Sequence, residues 1–186
     1  GYTCVTMSDF NGDLQFYTNG IWLANRNHDT LFNSNNYNPG WASTYYSPWG
    51  MPYMQYIVAL PHSDSTNLYH IFSQSANLNI PGVIYVPERV SYSLIDMNLD
   101  NGRGGITSVK DSTIVSDTLN NGHMTACRHG NGRDWWIISH KYNSNLRHKI
   151  LVSPNGPILE STQSIGTSTP DILDWYGQAC FSPDGT

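Results

Sequence analysis

Side chains able to do chemistry are few and scattered in this 186-residue sequence. Asp96, Asn98 and Asp100 place oxygen ligands on alternate residues ahead of Gly102, as a calcium loop does. The glycine falls one place late, and the twelfth position holds Thr107 instead of a glutamate. Asp9, Asn11 and Asp13 make a shorter version of the same pattern. Hairpin turns favour these residues for backbone reasons, so a plain turn and a calcium cofactor are both open. Seven histidines raise the question of zinc, yet no pair has the tight spacing of a structural site. His129 and His140 are expected to hydrogen bond within a sheet. Cys127 and His129 would project from one strand face about 7 Å apart, too far for a thiol–imidazole nucleophile.

Glycoside hydrolysis would need a carboxylate pair. Asp13, Asp64, Asp100, Asp171 and Asp184 sit at turn positions, and Glu88 and Glu160 are the only glutamates. Ser182-Pro183-Asp184-Gly185-Thr186 lacks the spacing of a sialidase Asp-box. No residue is assigned to catalysis. The aromatics are more suggestive. Trp41, Tyr45, Tyr46, Trp49 and Tyr53 lie in a segment punctuated by Pro and Gly, with no strand alternation. Flat rings of this kind stack on sugars or anchor a protein partner. The same segment could instead fold back and cover one end of the domain. Trp135 and Trp136 adjoin on one strand, must face opposite sides, and are expected to be buried.

These side chains must be positioned by strands. No window shows the three-and-four apolar spacing of a long helix. Short β-rich runs recur at 2–7, 14–18, 56–60, 68–72, 90–95, 135–140 and 149–152. Asn11-Gly12, Asn19-Gly20, Asn101-Gly102, Asn131-Gly132 and Asn155-Gly156 separate runs and favour tight hairpin turns. The hairpins repeat, with 53 residues from Gly132 to Gly185. Four short strands per period of about fifty predict β-propeller blades. The expected blades are 1–54, 55–122 and 123–176, with a further blade starting at 177–186. A sandwich of irregular hairpins is the competing architecture.

Composition narrows the function classes. Charged residues make up 12%, about half the usual share, and the net charge is −5. Scattered Lys and Arg exclude a nucleic-acid footprint. The apolar run 56–60 is far short of the ~20 residues that span a bilayer. Few Lys and Glu with many Asn, Thr and Tyr suit β-structure outside the cell. Cys4, Cys127 and Cys180 are too few for a disulfide framework and are expected to be free, mostly buried thiols.

SDFNGDLQFYTNGIWLANRNH, YSLIDMNLDNGRGGI, MTACRHGNGRDWWIISHKYNSN and FSPDG follow one another in that order. Together they resemble the propeller-like region of large secreted Bacteroidetes proteins, a group that includes gliding-motility-associated chains and often ends in a type IX secretion sorting domain. The likeness runs from Thr3 to Gly185, and GRDWWII is its most specific part. It implies an exported, cell-surface or extracellular module with no catalytic residues to carry over. Segment 33–54 is longer and more aromatic than the pattern, and no sorting domain is present. The expected role is non-enzymatic, in adhesion, assembly or protein–protein interaction. A glycan-binding propeller using the 33–54 aromatics, or a hydrolase with its catalytic residues elsewhere, are the alternatives. Three blades and a stray hairpin cannot close a ring of roughly four to eight. Expected partners are therefore further blades or domains of a longer chain, or another protein chain, with glycans as possible ligands.

Overall fold

A computed structural model of the protein describes residues 3–80, 83–168, 176–183 and 185. Asp171 and Asp184, two of the expected turn carboxylates, lie outside the described residues. The protein is mainly β, in antiparallel sheets. Strands β1 (Val5–Ser8), β2 (Leu14–Thr18) and β3 (Leu23–Asn25) form the first sheet in chain order. A five-residue helix, α1 (Trp41–Tyr45), follows. The second sheet is built from β4 (Ile57–Pro61), β5 (Leu68–Gln74), β8 (Arg89–Asp96) and β10 (Ser112–Ser116). A separate hairpin of β6 (Leu78–Ile80) and β7 (Val83–Val86) is inserted between β5 and β8, and β9 (Gly105–Ile106) pairs with β8. The third sheet is a four-stranded meander of β12 (Thr125–Arg128), β13 (Trp135–His140), β14 (Leu146–Ser153) and β15 (Gly156–Ser164). Two short strands, β11 (Asn121–Gly122) and β16 (Tyr176–Gly177), pair in parallel.

Strand periodicity explains the stacking of these sheets. Successive residues of a strand face opposite sides, so a strand apolar on both faces must be covered on both. In β5, Tyr69 and Ile71 join Phe16, Leu23 and Met51 in one core, while Phe72 joins Val115, Ile137 and Ile150 in another. β4 divides in the same way, with Ile57 in the first core and Leu60 in the second, and so does β8, with Ile95 and Val90. The second sheet is therefore the middle layer. Continuous apolar runs such as 56–60 belong to it because both its faces are covered. Each of its large buried side chains contributes about 1.5–3 kcal/mol relative to exposure.

The segments that lead into the sheets meet one another. The Thr3 hydroxyl donates to the Tyr53 carbonyl. Gln55 exchanges two hydrogen bonds with the Ala179 backbone, each of 2.8 Å. The Tyr56 hydroxyl donates to the Asn121 side chain, which in turn donates to the Tyr85 carbonyl at 3.1 Å. Four lead-in segments and the inserted hairpin thus share one junction. At the turn ends, the Ser63 hydroxyl donates to the Arg133 carbonyl and the Trp135 indole to the Pro61 carbonyl at 3.2 Å.

Two expectations need correction. The three cysteines are free, but Cys4 and Cys180 are exposed and Cys127 is half-buried. Cys127, on β12, and Cys180, outside any strand, line one groove with Arg128 and Phe181, open where burial was expected. Trp135 and Trp136 are likewise only half-buried, with Arg128 over one ring at 3.9 Å and Lys149 over the other at 5.4 Å. Thiol labelling after denaturation without reductant should modify all three cysteines. In the native protein Cys4 and Cys180 should react first, because burial raises the Cys127 thiol pKa and lowers its thiolate fraction. Mass spectrometry of timed samples checks this. A paired Cys127–Cys180 would contradict the structure.

Candidate functional site

Segment 33–54 covers the first core with one side and exposes aromatic rings on the other. Its underside is a cap. Tyr37, Ala42, Met51 and Tyr53 are buried in the first core. The Asn38 side chain donates to the Gln74 carbonyl at 2.9 Å, and its backbone N–H donates to Asp111 at 3.0 Å. The Arg89 guanidinium holds the Pro39 carbonyl at 2.6 Å and pairs with Glu88 at 2.9 Å. Gly40 lies so close to Asn77 that any side chain there would collide with it.

The outer side carries rings. Trp41 and Tyr45 are four residues apart on α1, the spacing that puts side chains on one helix face. Their rings stack at 4.9 Å with a 12° interplanar angle. The other neighbour of Trp41 is Tyr85 from the inserted hairpin, stacked at 3.7 Å. Tyr46 meets Trp41 edge-on at 5.9 Å and is partly buried against the core. Exposure is 64% for Trp49, 59% for Tyr45 and 37% for Trp41, against 7% for Tyr53. The solvent-facing part of the aromatic set is therefore Trp41, Tyr45 and Trp49, supported by Tyr46 and Tyr85. Tyr85 was not foreseen, since no local spacing relates a residue of the hairpin to α1.

Asp96, Asn98 and Asp100 do turn work. An Asp96 oxygen accepts the Asn98 N–H at 2.8 Å, and Asp100 pairs with Arg103 at 2.8 Å. Asp100, Asn101 and Gly102 all take positive φ, which suits Asp, Asn and Gly. The Asp9 carboxylate accepts the Asn11 and Asp13 N–H groups at 2.9 and 3.0 Å. Among the described residues no three His, Cys, Asp or Glu side chains are grouped to hold a metal ion.

The histidines are engaged. His129 accepts the Asn131 N–H at 3.0 Å, and His140 bridges the Asn120 side chain and the Ser144 carbonyl. His70 is buried and bonded to the Tyr92 hydroxyl at 3.0 Å. Burial, then the neighbouring His62, lowers its pKa to about 4. His148 reaches Asp117 at 3.1 Å, and Lys141 holds the same carboxylate at 2.7 and 2.9 Å. Burial opposes ionisation of Asp117, but the Lys141 hydrogen bond, the Thr118 N–H and the nearby charges outweigh it and lower the pKa. His148 is also lowered, by burial acting against the pull of Asp117.

Among the described residues no helix is long and apolar enough to cross a membrane. Comparison of the chain with family models, with curated proteins and with solved structures finds no match.

Proposed function

We propose that this chain is a portion of a β-propeller and serves as a non-enzymatic binding module of an exported or cell-surface protein. Support for the propeller comes from the stacking of three antiparallel sheets and the junction of their lead-in segments. Export is supported only by the composition and the family resemblance. The observation that carries the binding role is the Tyr45–Trp41–Tyr85 stack, together with the exposed Trp49 ring of the same segment, on a cap that the core anchors. Rings fixed in this way offer large amphipathic contact area at little entropic cost, as protein-binding anchors do. The surface would join other domains of a longer chain or a partner protein in adhesion or assembly. A glycan ligand is the second reading, favoured by the open ring of Trp49.

Trp49→Ala is the cleanest test, because that ring is the most exposed of the set. Beads coated with the protein should adhere to cell surfaces, and the variant should lose at least about tenfold in adhesion, as for an interface hot spot. Its Tm should stay within about 2 °C, as expected for an exposed side chain. Specific signals on a glycan array that vanish with Trp49→Ala would favour the sugar reading. Equal adhesion by both proteins, with no array signal, would overturn the binding role.

A further inference from the structure

A groove on a different surface gathers two carboxylates and two aromatic side chains. The β1–β2 turn of the first sheet and the β4–β5 turn of the second flank an open groove of about 500 Å³. Tyr69 contributes to its lining although the residue is only 3% exposed. The Tyr69 ring is held edge-on by Phe16 at 5.5 Å, and its hydroxyl has no hydrogen-bond partner among the described residues. Burial and the charge of Asp9 raise its pKa, so the hydroxyl stays neutral and able to donate or accept. The ring is buried, but the hydroxyl is not sealed off, so solvent or a ligand can meet it at the groove.

Asp9 and Asp64 supply the two carboxylates of the groove. Asp9 is fixed by the Asn11, Asp13 and Gln15 donors. The Asp64 carboxylate has no hydrogen-bond partner among the described residues. Arg133, the cation that senses it, is engaged by Asp134 at 2.8 and 3.2 Å. Among the described residues no Lys or Arg lines the groove. His62 accepts the Asp64 N–H on Nδ1 and donates from Nε2 to the Pro154 carbonyl, the pattern of a neutral imidazole. Phe10 also lines the groove, with its side chain 87% exposed.

We infer that this groove binds a ligand bearing an ammonium or guanidinium group, placed between Asp9 and Asp64, under the Phe10 ring and against the Tyr69 hydroxyl. Carboxylates pair with such a cation, and an aromatic face attracts it. Calcium fits poorly, since three N–H donors already occupy Asp9 and a calcium ion wants six to eight oxygens. The shared chemistry admits two sources, a free amine or a basic side chain of a peptide.

Two-dimensional amide NMR of the 186-residue protein tests this with agmatine, N-acetyl-arginine methylamide, N-acetyl-glutamine methylamide and calcium chloride. Both guanidinium probes should shift residues 8–10 and 62–69 saturably, and added salt should weaken the effect. Asp64→Asn should weaken binding about fivefold, the scale of an exposed ion pair. Phe10→Ala should weaken it about threefold, the scale of an exposed cation–π contact. Tighter binding of agmatine would point to a free amine, and tighter binding of the capped arginine to a peptide. The inference is overturned if neither cation shifts these residues, if the glutamine probe shifts them equally, if calcium alone does so, or if Asp64→Asn changes nothing. Trp49→Ala should leave all these responses intact, which separates this site from the aromatic one.

Discussion

Gly122→Ala should destabilise the protein by about 3 kcal/mol, the sum of a positive-φ penalty and overpacking. Gly122 has φ +79°, where only glycine is at ease. A Cβ there would also stand 2.8 Å from the Gly177 carbonyl oxygen and 2.8 Å from that of Met54. Both are backbone atoms of other lead-in segments, so neither can swing away. Gly12 is the control. Its φ is +89°, but a Cβ would meet nothing within 4 Å, so Gly12→Ala should cost only about 1 kcal/mol. Urea unfolding of the two variants gives the comparison. Equal midpoints would mean that the lead-in segments do not meet at Gly122.

Acid should loosen the same molecule well above the carboxylate range. The folded-state pKa of His70 is about 4, against 6.5 for a free histidine. Above pH 6.5 the ring is neutral in both states and the full stability is present. Between pH 6.5 and 4 the unfolded chain takes up a proton that the folded protein refuses, so stability falls with pH. The loss from this one group approaches about 3 kcal/mol, since each unit corresponds to about 1.4 kcal/mol. His148 has the same sign, because its pKa is also depressed. Asp117 adds a further loss at lower pH, as protonation releases Lys141. Unfolding midpoints should hold level from pH 7.5 to about 6.5 and decline from there to pH 4. His70→Asn, which keeps a short polar group near Tyr92, should flatten the decline. An unchanged slope would show that His70 is not the group responsible.

The second sheet was legible from its continuous apolar and aromatic runs, and the third from β-rich runs bounded by Asn-Gly turns. The runs expected at 68–72 and 90–95 lie in β5 and β8, and those at 135–140 and 149–152 in β13 and β14. Helix α1 was not legible, since WASTY is too short to show a period. Tyr53 reads like its aromatic neighbours, yet it is in the core because the chain there returns toward β4. Exposure of Cys4 and Cys180 was missed because both were read as strand residues, whereas Cys4 precedes β1 and Cys180 follows β16. What local spacing cannot encode is the meeting of distant segments, such as Tyr85 with Trp41 or Asp9 with Asp64.

The junction of lead-in segments also bears on the order in which the molecule assembles. Strands within the third sheet are joined by short turns, whereas Gln55 and Ala179 stand 124 residues apart in the chain. Short loops close early at small entropic cost, and long ones become favourable once the pieces they join are formed. On this ground the meanders are expected to form before the junction closes. Interactions made after the transition state govern how fast the native state is lost. Substitutions at Gln55, Asn121 and Gly122 are thus expected to speed unfolding more than they slow folding, as residues of a kinetic latch would.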